Sequence, residues 1–223
     1  MKHLPLTVKV FAFIGVLATA FFIVAGRLDL PLAWVYFGLY LAYVLILPAY
    51  LKNPDLLAER MAVKSDAKQW DVHFNKLFSL LNLVTFVVIA LDVGRFQWQP
   101  TVPLMVSIVA FVVATLAYLW MAWSMSYNPF FSRIVRIQTD RGHHVVRDGP
   151  YQYMRHPGYV GVITYILATP LAFGSFWGLI PSLIVVVGLL WRTGKEDQTL
   201  QQELEGYLAY TQKVRYRLLP NVW

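Results

Sequence analysis

Apolar residues in this chain run in long blocks interrupted by short polar segments. Leu6–Gly26 is 21 residues with one charge, Lys9, and Leu30–Tyr50 is 21 residues with none. Leu77–Gly94 is 18 residues with only Asp92 near its end, and Val102–Tyr127 is 26 uncharged residues. At about 1.5 Å per residue each block is long enough to cross a hydrocarbon layer of roughly 30 Å. The first block resembles a signal peptide in having Lys2 ahead of it and Ala18-Thr19-Ala20 within it. Its apolar stretch is too long for that, and a second span follows at once, so it is expected to be a retained helix.

The fifth block, Gly158–Trp191, is 34 uncharged residues, too long for one crossing and short for two. Pro170, Gly174, Ser175, Gly178 and Pro181 cluster at its middle and predict the turn of a helical hairpin. Arms of about 15 residues reach only about 22 Å. They must therefore borrow length from their flanks or cross incompletely. The second arm is expected to continue past Trp191 and to carry Arg192 and Glu196 on the same helix. The predicted fold is all-α and integral to a membrane, with about six transmembrane helices, the last two a short hairpin, and a cytoplasmic amphipathic helix at the C-terminal end. No repeat, low-complexity tract or linker divides it. Residues 1–223 read as a single membrane domain: four transmembrane helices in 1–127, a cytoplasmic loop in 128–157, and the hairpin and tail in 158–223. Between 51 and 76, Pro54 could start a surface helix with Leu56, Leu57 and Met61 towards lipid and Glu59 and Arg60 in water, while Trp70 and Phe74 suit the interface.

Composition agrees with this pattern: 58% hydrophobic, 14% charged, 16% aromatic, with a mean hydropathy of +0.53. The absence of cysteine excludes disulfides, thiolate metal sites and cysteine nucleophiles. The net charge of +7 changes meaning once it is mapped. With six helices, 17 Lys and Arg residues fall on one side and only Arg27 and Arg95 on the other. That asymmetry predicts that both termini and the two long loops are cytoplasmic, in a plasma, inner or endoplasmic reticulum membrane, and it argues against a nucleic-acid surface. The same cations also suit membrane lipid headgroups.

Polar residues within the spans are few: Asn82, Thr85, Ser107, Thr115, Thr164 and Thr169. They form no relay of acids or histidines, which leaves a proton-coupled transporter or channel without support. Asn82 is expected to donate an interhelical hydrogen bond. Polar chemistry concentrates instead in the segment 137–159, where Gly142, Gly149 and Gly158 permit tight turns and close ligand approach. His143, His144 and His156 lack acids or cysteines at ligand spacing, so no metal site is expected. Arg192 and Glu196, four apart, share one helix face. Folding the hairpin would bring them to Arg155-His156-Pro157 at the membrane surface.

The set Arg155-His156-Pro157-Gly158-Tyr159-Val160-Gly161, a hairpin, Arg192-x3-Glu196-Asp197-x2-Leu200, then Tyr207-x2-Tyr210 and Pro220, resembles the isoprenylcysteine carboxyl methyltransferase family and the wider group that includes phospholipid methyltransferases. The resemblance covers roughly Ile134 to Trp223; the earlier helices match only in hydropathy. It implies an integral membrane methyltransferase using S-adenosyl-L-methionine, bound between the cytoplasmic loop and the hairpin. Cofactor contacts would then fall on Gln138, His143, His144, Val145, Val146, Tyr151, Arg155, His156, Pro157, Gly158, Tyr159 and Glu196. Arg192 would meet the methyl acceptor, so Arg192 and Glu196 are the candidate catalytic pair. The partner implied is a lipophilic or lipidated small molecule, with no obligate protein partner. Two departures stand out: the second acid is Asp197, and the family's Phe-Gly ahead of the paired tyrosines is Leu204-Glu205-Gly206, one residue shorter.

The chemistry is consistent with that assignment. Backbone N–H groups and histidines suit a carboxylate and an adenine, Glu196 suits an ammonium or ribose hydroxyls, and tyrosines suit an adenine face or a sulfonium. Methyl transfer is an in-line displacement, so alignment matters most. A carboxylate acceptor needs no general base, whereas an amine would need one, with His156 and Glu196 the candidates. Arg192 could hold a carboxylate bidentately. Two other readings use the same residues. A sterol-type NADPH-dependent membrane reductase carries a similar Arg-His-Pro-x-Tyr segment, with Arg133, Arg136, Arg141 and Arg147 left to hold the extra phosphates. A non-catalytic membrane protein could retain an old pocket.

Overall fold

The computed structural model describes residues 6–51 and 67–223. The expectation of a surface helix from Pro54 lies outside these residues. Within them the chain is helical, with no strand. Helix α1 spans Leu6–Ala25, α2 Pro31–Tyr50, α3 Gln69–Ala90, α4 Leu104–Tyr127, α5 Pro157–Phe173, α6 Leu179–Glu203 and α7 Tyr207–Lys213. Among the described residues, Gln69–Phe96 and Leu104–Tyr127 are long and apolar enough to cross a membrane, and Val10–Ala25, Pro31–Leu47 and Pro157–Phe173 are shorter apolar helices.

Two boundaries differ from the hydropathy reading. Helix α3 starts at Gln69, well before Leu77, because Trp70, Asp71 and Asn75 find partners in the protein rather than in water. At its far end the helix continues as a π-type stretch, Leu91–Phe96, which sets Gly94 directly against the backbone of Ala25. A Cβ at Gly94 would lie 2.5 Å from the Ala25 carbonyl oxygen, so only glycine allows α1 and α3 to meet this closely.

The hairpin forms where the Pro/Gly cluster predicts. Helix α5 ends at Gly174, whose φ of +88° is the left-handed cap that glycine adopts freely. The Ser175 hydroxyl donates to Asp92 at 2.5 Å and accepts the Gly178 N–H at 3.0 Å, tying the turn to the end of α3. Helix α6 runs 25 residues, through Trp191 to Glu203, and so carries Arg192 and Glu196 on one helix as expected. Helix α4 presents Ser107, Ala110, Ala114 and Ala117 as its buried face. This small-residue surface lets α5 approach until Gly161 sits against the Ala117 carbonyl.

At one end of the molecule Lys68, the 128–157 segment and the end of α6 join: the Lys68 N–H donates to the Val135 carbonyl and its ammonium bridges to Glu203 at 2.6 Å. At the other end, the Arg95 guanidinium lies beside Gly26, next to Arg27. Among the described residues, Arg27 and Arg95 thus lie apart from Lys68 and the arginines of the 128–157 segment. Between the ends, Phe21, Phe22, Tyr36, Phe37, Ile89 and Phe173 form an aromatic core, with ring centroids 4.9 Å apart for Phe21–Phe173 and 4.3 Å for Tyr36–Phe173.

Candidate functional site

A cavity of about 750 Å³ runs from the polar loop into the space between α1 and α3. Its polar end is lined by Gln138, His143 to Val146, Tyr151, Arg155, His156, Gly158, Tyr159, Arg192 and Glu196; its apolar end by Leu17, Ala20, Phe21 and Val24 of α1 and Leu83, Phe86 and Val87 of α3. The structure therefore brings together every residue singled out from the sequence except Pro157. That proline is the first residue of α5, and its carbonyl accepts the Trp120 indole N–H at 2.9 Å.

Residues in this set divide into those that face the cavity with spare capacity and those already engaged in building it. Gln138 is 1% exposed, donates its amide to the Phe130 carbonyl at 2.7 Å and accepts Arg141 at 2.6 Å. Its role is to shape the loop. The Gln138 N–H donates to Nδ1 of His143 at 3.2 Å, which requires that nitrogen to be unprotonated. Burial, then the neighbouring His144, Arg136 and Arg141 charges, bring the His143 pKa down to about 4, so the ring is neutral at physiological pH. The imidazole packs on Phe130 with centroids 4.4 Å apart. Gly158 lines the cavity and also makes room for Phe131: a Cβ there would come within 2.4 Å of that ring.

Arg155 is also a builder. Its Nε and Nη2 pair with the two Asp197 oxygens at 2.8 and 2.9 Å, and its Nη1 donates to the Val214 and Arg215 carbonyls at 2.9 and 2.7 Å. Asp197, 0% exposed, additionally takes His156 at 3.1 Å, the Tyr207 hydroxyl at 3.0 Å, Gln201 at 2.8 Å and Arg217 at 2.9 Å. Burial alone would raise this carboxyl's pKa. Hydrogen bonds from His156, Arg155 and Arg217 outweigh it and hold the group well below the usual carboxylate range. The shorter Asp side chain at this position, read from the sequence as a departure, is the centre of a six-residue clasp. The clasp fixes the tail, and Leu204, Tyr207, Tyr210 and Val214 then pack on Ile137 and Val145 to close the polar end.

Glu196 and Arg192 remain available. Glu196 accepts the Tyr159 hydroxyl at 2.5 Å on Oε2, leaving Oε1 without a partner among the described residues. A half-buried carboxylate with one open oxygen fits the ammonium or hydroxyl groups of the methyl donor. Arg192 is held from behind: Nε donates to Asp71 Oδ1 at 2.6 Å, and Nη2 donates to Asp71 Oδ2 at 3.1 Å and the Arg133 carbonyl at 2.9 Å. Its Nη1 makes only a long ion pair, 3.6 Å to Glu196 Oε2, and the guanidinium lies over the Phe74 and Tyr159 rings at 5.6 and 5.5 Å. Sequence reasoning missed Asp71. Its signal was a lone acid in the first turn of an otherwise apolar helix. Asn82 departs from its expected role: its amide donates to the Phe78 carbonyl of its own helix at 2.7 Å and lines the cavity. Among the arginines that a phosphate-binding reading needs, Arg133 donates to Ser79, Arg136 pairs with Asp140 and Arg141 with Gln138. Among the described residues no group of three or more acids or histidines could hold a metal.

Comparison with known proteins converges on one family. Residues 102–202 match the isoprenylcysteine carboxyl methyltransferase family. A 90-residue stretch, 38% of the chain, is 31% identical to a protein-S-isoprenylcysteine O-methyltransferase of Schizosaccharomyces pombe and spans 36% of that protein's length. The fold resembles that of the eukaryotic intramembrane Ras methyltransferase ICMT, with a TM-score of 0.57 over 91% of this chain and 72% of the other, at 16% identity. The matched segment begins at residue 102, just ahead of α4 and earlier than the Arg-His-Pro motif, and the Tyr207–Tyr210 tail lies beyond it. Over residues 102–202 the chain is thus similar to the isoprenylcysteine carboxyl methyltransferase family, and its helical fold is similar to that of an intramembrane methyltransferase.

Proposed function

We propose that the protein is an S-adenosylmethionine-dependent methyltransferase that methylates a lipophilic carboxylate, of the isoprenylcysteine type or similar, at the cytoplasmic face of its membrane. The observation that carries this reading is the single cavity whose polar end is built from the loop and Glu196, whose apolar end lies between α1 and α3, and whose junction holds Arg192. The 17-to-2 distribution of basic residues supports six crossings with the termini and both long loops on the cytoplasmic side.

S-adenosylmethionine, when bound, supplies a methyl group activated by its sulfonium. Glu196 Oε1 would take its ammonium or ribose hydroxyls, and the backbone of 143–146 its polar groups. Arg192, clamped by Asp71, offers Nη1 to the acceptor carboxylate and holds it on line for displacement. Opposite charges on carboxylate and sulfonium cancel as the methyl moves, a change favoured where water is excluded. An amine acceptor is disfavoured because neither candidate base is free to take its proton: His156 Nε2 faces Asp197 and Tyr207, and the open oxygen of Glu196 is the one that would take the methyl donor.

Calorimetry on the protein in lipid nanodiscs tests this directly. Micromolar binding of S-adenosylhomocysteine and no response to NADPH are expected; the reverse pattern would refute the proposal. Glu196→Ala is expected to abolish that binding. Arg192→Lys, which loses the paired donors but keeps the charge, is expected to retain it and lose turnover. Labelling that places residue 144 on the extracytoplasmic side would overturn the orientation.

A further inference from the structure

Helix α3 carries a polar stripe of which the proposed chemistry uses only the first residue. Asp71, Asn75, Ser79 and Asn82 follow one another at intervals of four, four and three, so all four occupy one face of the helix. Asp71 holds Arg192, and the other three line the cavity. Measured along the helix, Asn75, Ser79 and Asn82 stand about 6, 12 and 16 Å from Asp71.

Each of the three bonds back to its own helix: Asn75 to the Asp71 carbonyl at 2.9 Å, Ser79 to the Asn75 carbonyl at 2.8 Å, Asn82 to the Phe78 carbonyl at 2.7 Å. A carbonyl can only accept, so the nitrogens of Asn75 and Asn82 are the atoms facing the helix and their Oδ1 atoms face away. Neither Oδ1 has a partner among the described residues, whereas Ser79 also accepts Arg133 at 3.2 Å. Beyond Asn82 the lining turns apolar, with Leu83, Phe86 and Val87. Two acceptor atoms therefore stand on the stretch of cavity between Arg192 and the purely apolar end, Asn75 near the arginine and Asn82 about three turns along from Asp71. A plain hydrocarbon chain anchored at Arg192 would cover both amide oxygens without satisfying either, a desolvation that lowers its affinity.

Resting on the methyltransferase reading above, we propose that Asn75 and Asn82 select a methyl acceptor that carries a hydrogen-bond donor, an amide N–H close to the carboxylate within reach of Asn75 or a hydroxyl farther along within reach of Asn82, ahead of an apolar tail. The two oxygens reward the donor-bearing chain and penalise the plain one, so the stripe is a specificity device rather than an anchor for helix packing.

The test compares binding of matched long-chain carboxylates to the full-length protein in nanodiscs, with S-adenosylhomocysteine present. One is unsubstituted, one carries an amide N–H next to the carboxylate as in an N-acylglycine, and one carries a mid-chain hydroxyl. At least one donor-bearing ligand is expected to bind about tenfold more tightly than the plain chain, the worth of one hydrogen bond. The amide and hydroxyl arms tell which donor is read. Asn75→Leu with Asn82→Leu is expected to close the gap between donor-bearing and plain chains. Equal affinities for all three in the wild-type protein, or a gap that survives in the double variant, would overturn the proposal. Binding is read without turnover, so a failure of methyl transfer to any of these ligands would count against the function and not against the stripe.

Discussion

The two ends of the cavity are held together by different physics. At the polar end one carboxylate, Asp197, gathers six hydrogen bonds from Arg155, His156, Gln201, Tyr207 and Arg217. At the apolar end Phe21, Tyr36, Phe86 and Phe173 meet ring against ring, with no polar contact as strong. Directional bonds between buried charges tolerate almost no displacement, whereas aromatic packing in lipid can be redistributed among neighbours. The family match falls largely in the half that contains the polar end, residues 102–202, and the α1–α3 wall lies outside it. On the proposed function, such a division would let the acceptor wall diverge while the donor cradle keeps its geometry.

The sharpest way to break this contrast is at its hub. Asp197→Ala would leave Arg155 and Arg217 without their carboxylate, and an uncompensated buried charge costs about 3–5 kcal/mol. Thermal unfolding should register that loss, and S-adenosylhomocysteine binding should disappear with it. Phe173→Ala at the other end should cost roughly 1–2 kcal/mol, because in lipid only the packing part of a large-to-small substitution remains. A larger loss for Phe173→Ala than for Asp197→Ala in the same unfolding assay would invert the comparison.

A titration separates the ends next. His143 has a folded-state pKa of about 4 against an ordinary 6.5, so folding favours its neutral form. Its contribution is complete above about pH 6.5 and is lost as the pH falls towards 4. Thermal unfolding followed across that window should show stability declining in the wild-type protein and flattening in His143→Asn, while Phe173→Ala should keep the wild-type slope. Least affected should be Lys68→Ala. Its bridge to Glu203 is partly exposed on both sides, and such pairs contribute about 0–1 kcal/mol.

How far the sequence could be read follows the same division. Uninterrupted apolar runs, the Pro170-to-Pro181 turn and the continuation of α6 past Trp191 were legible because each is local, written within a few consecutive residues. The loop and hairpin residues were recognisable as a set, yet their roles were not separable. Nothing in Gln138 or Arg155 alone tells that Phe130, Arg141 and the Val214 carbonyl already engage them. Asp71 was invisible because its partner Arg192 is 121 positions away. Asn82 was misassigned since composition cannot distinguish an amide that bonds to a neighbouring helix from one that bonds to its own and faces a cavity.

The continuity of the cavity has a kinetic consequence. On the proposed function, the methyl donor dissolves in water and reaches one end, while the acceptor dissolves in lipid and reaches the other. Saturation by the acceptor is then governed by its mole fraction in the bilayer, and saturation by the donor by its molarity. Adding inert lipid at constant bulk concentrations dilutes one reactant and leaves the other untouched.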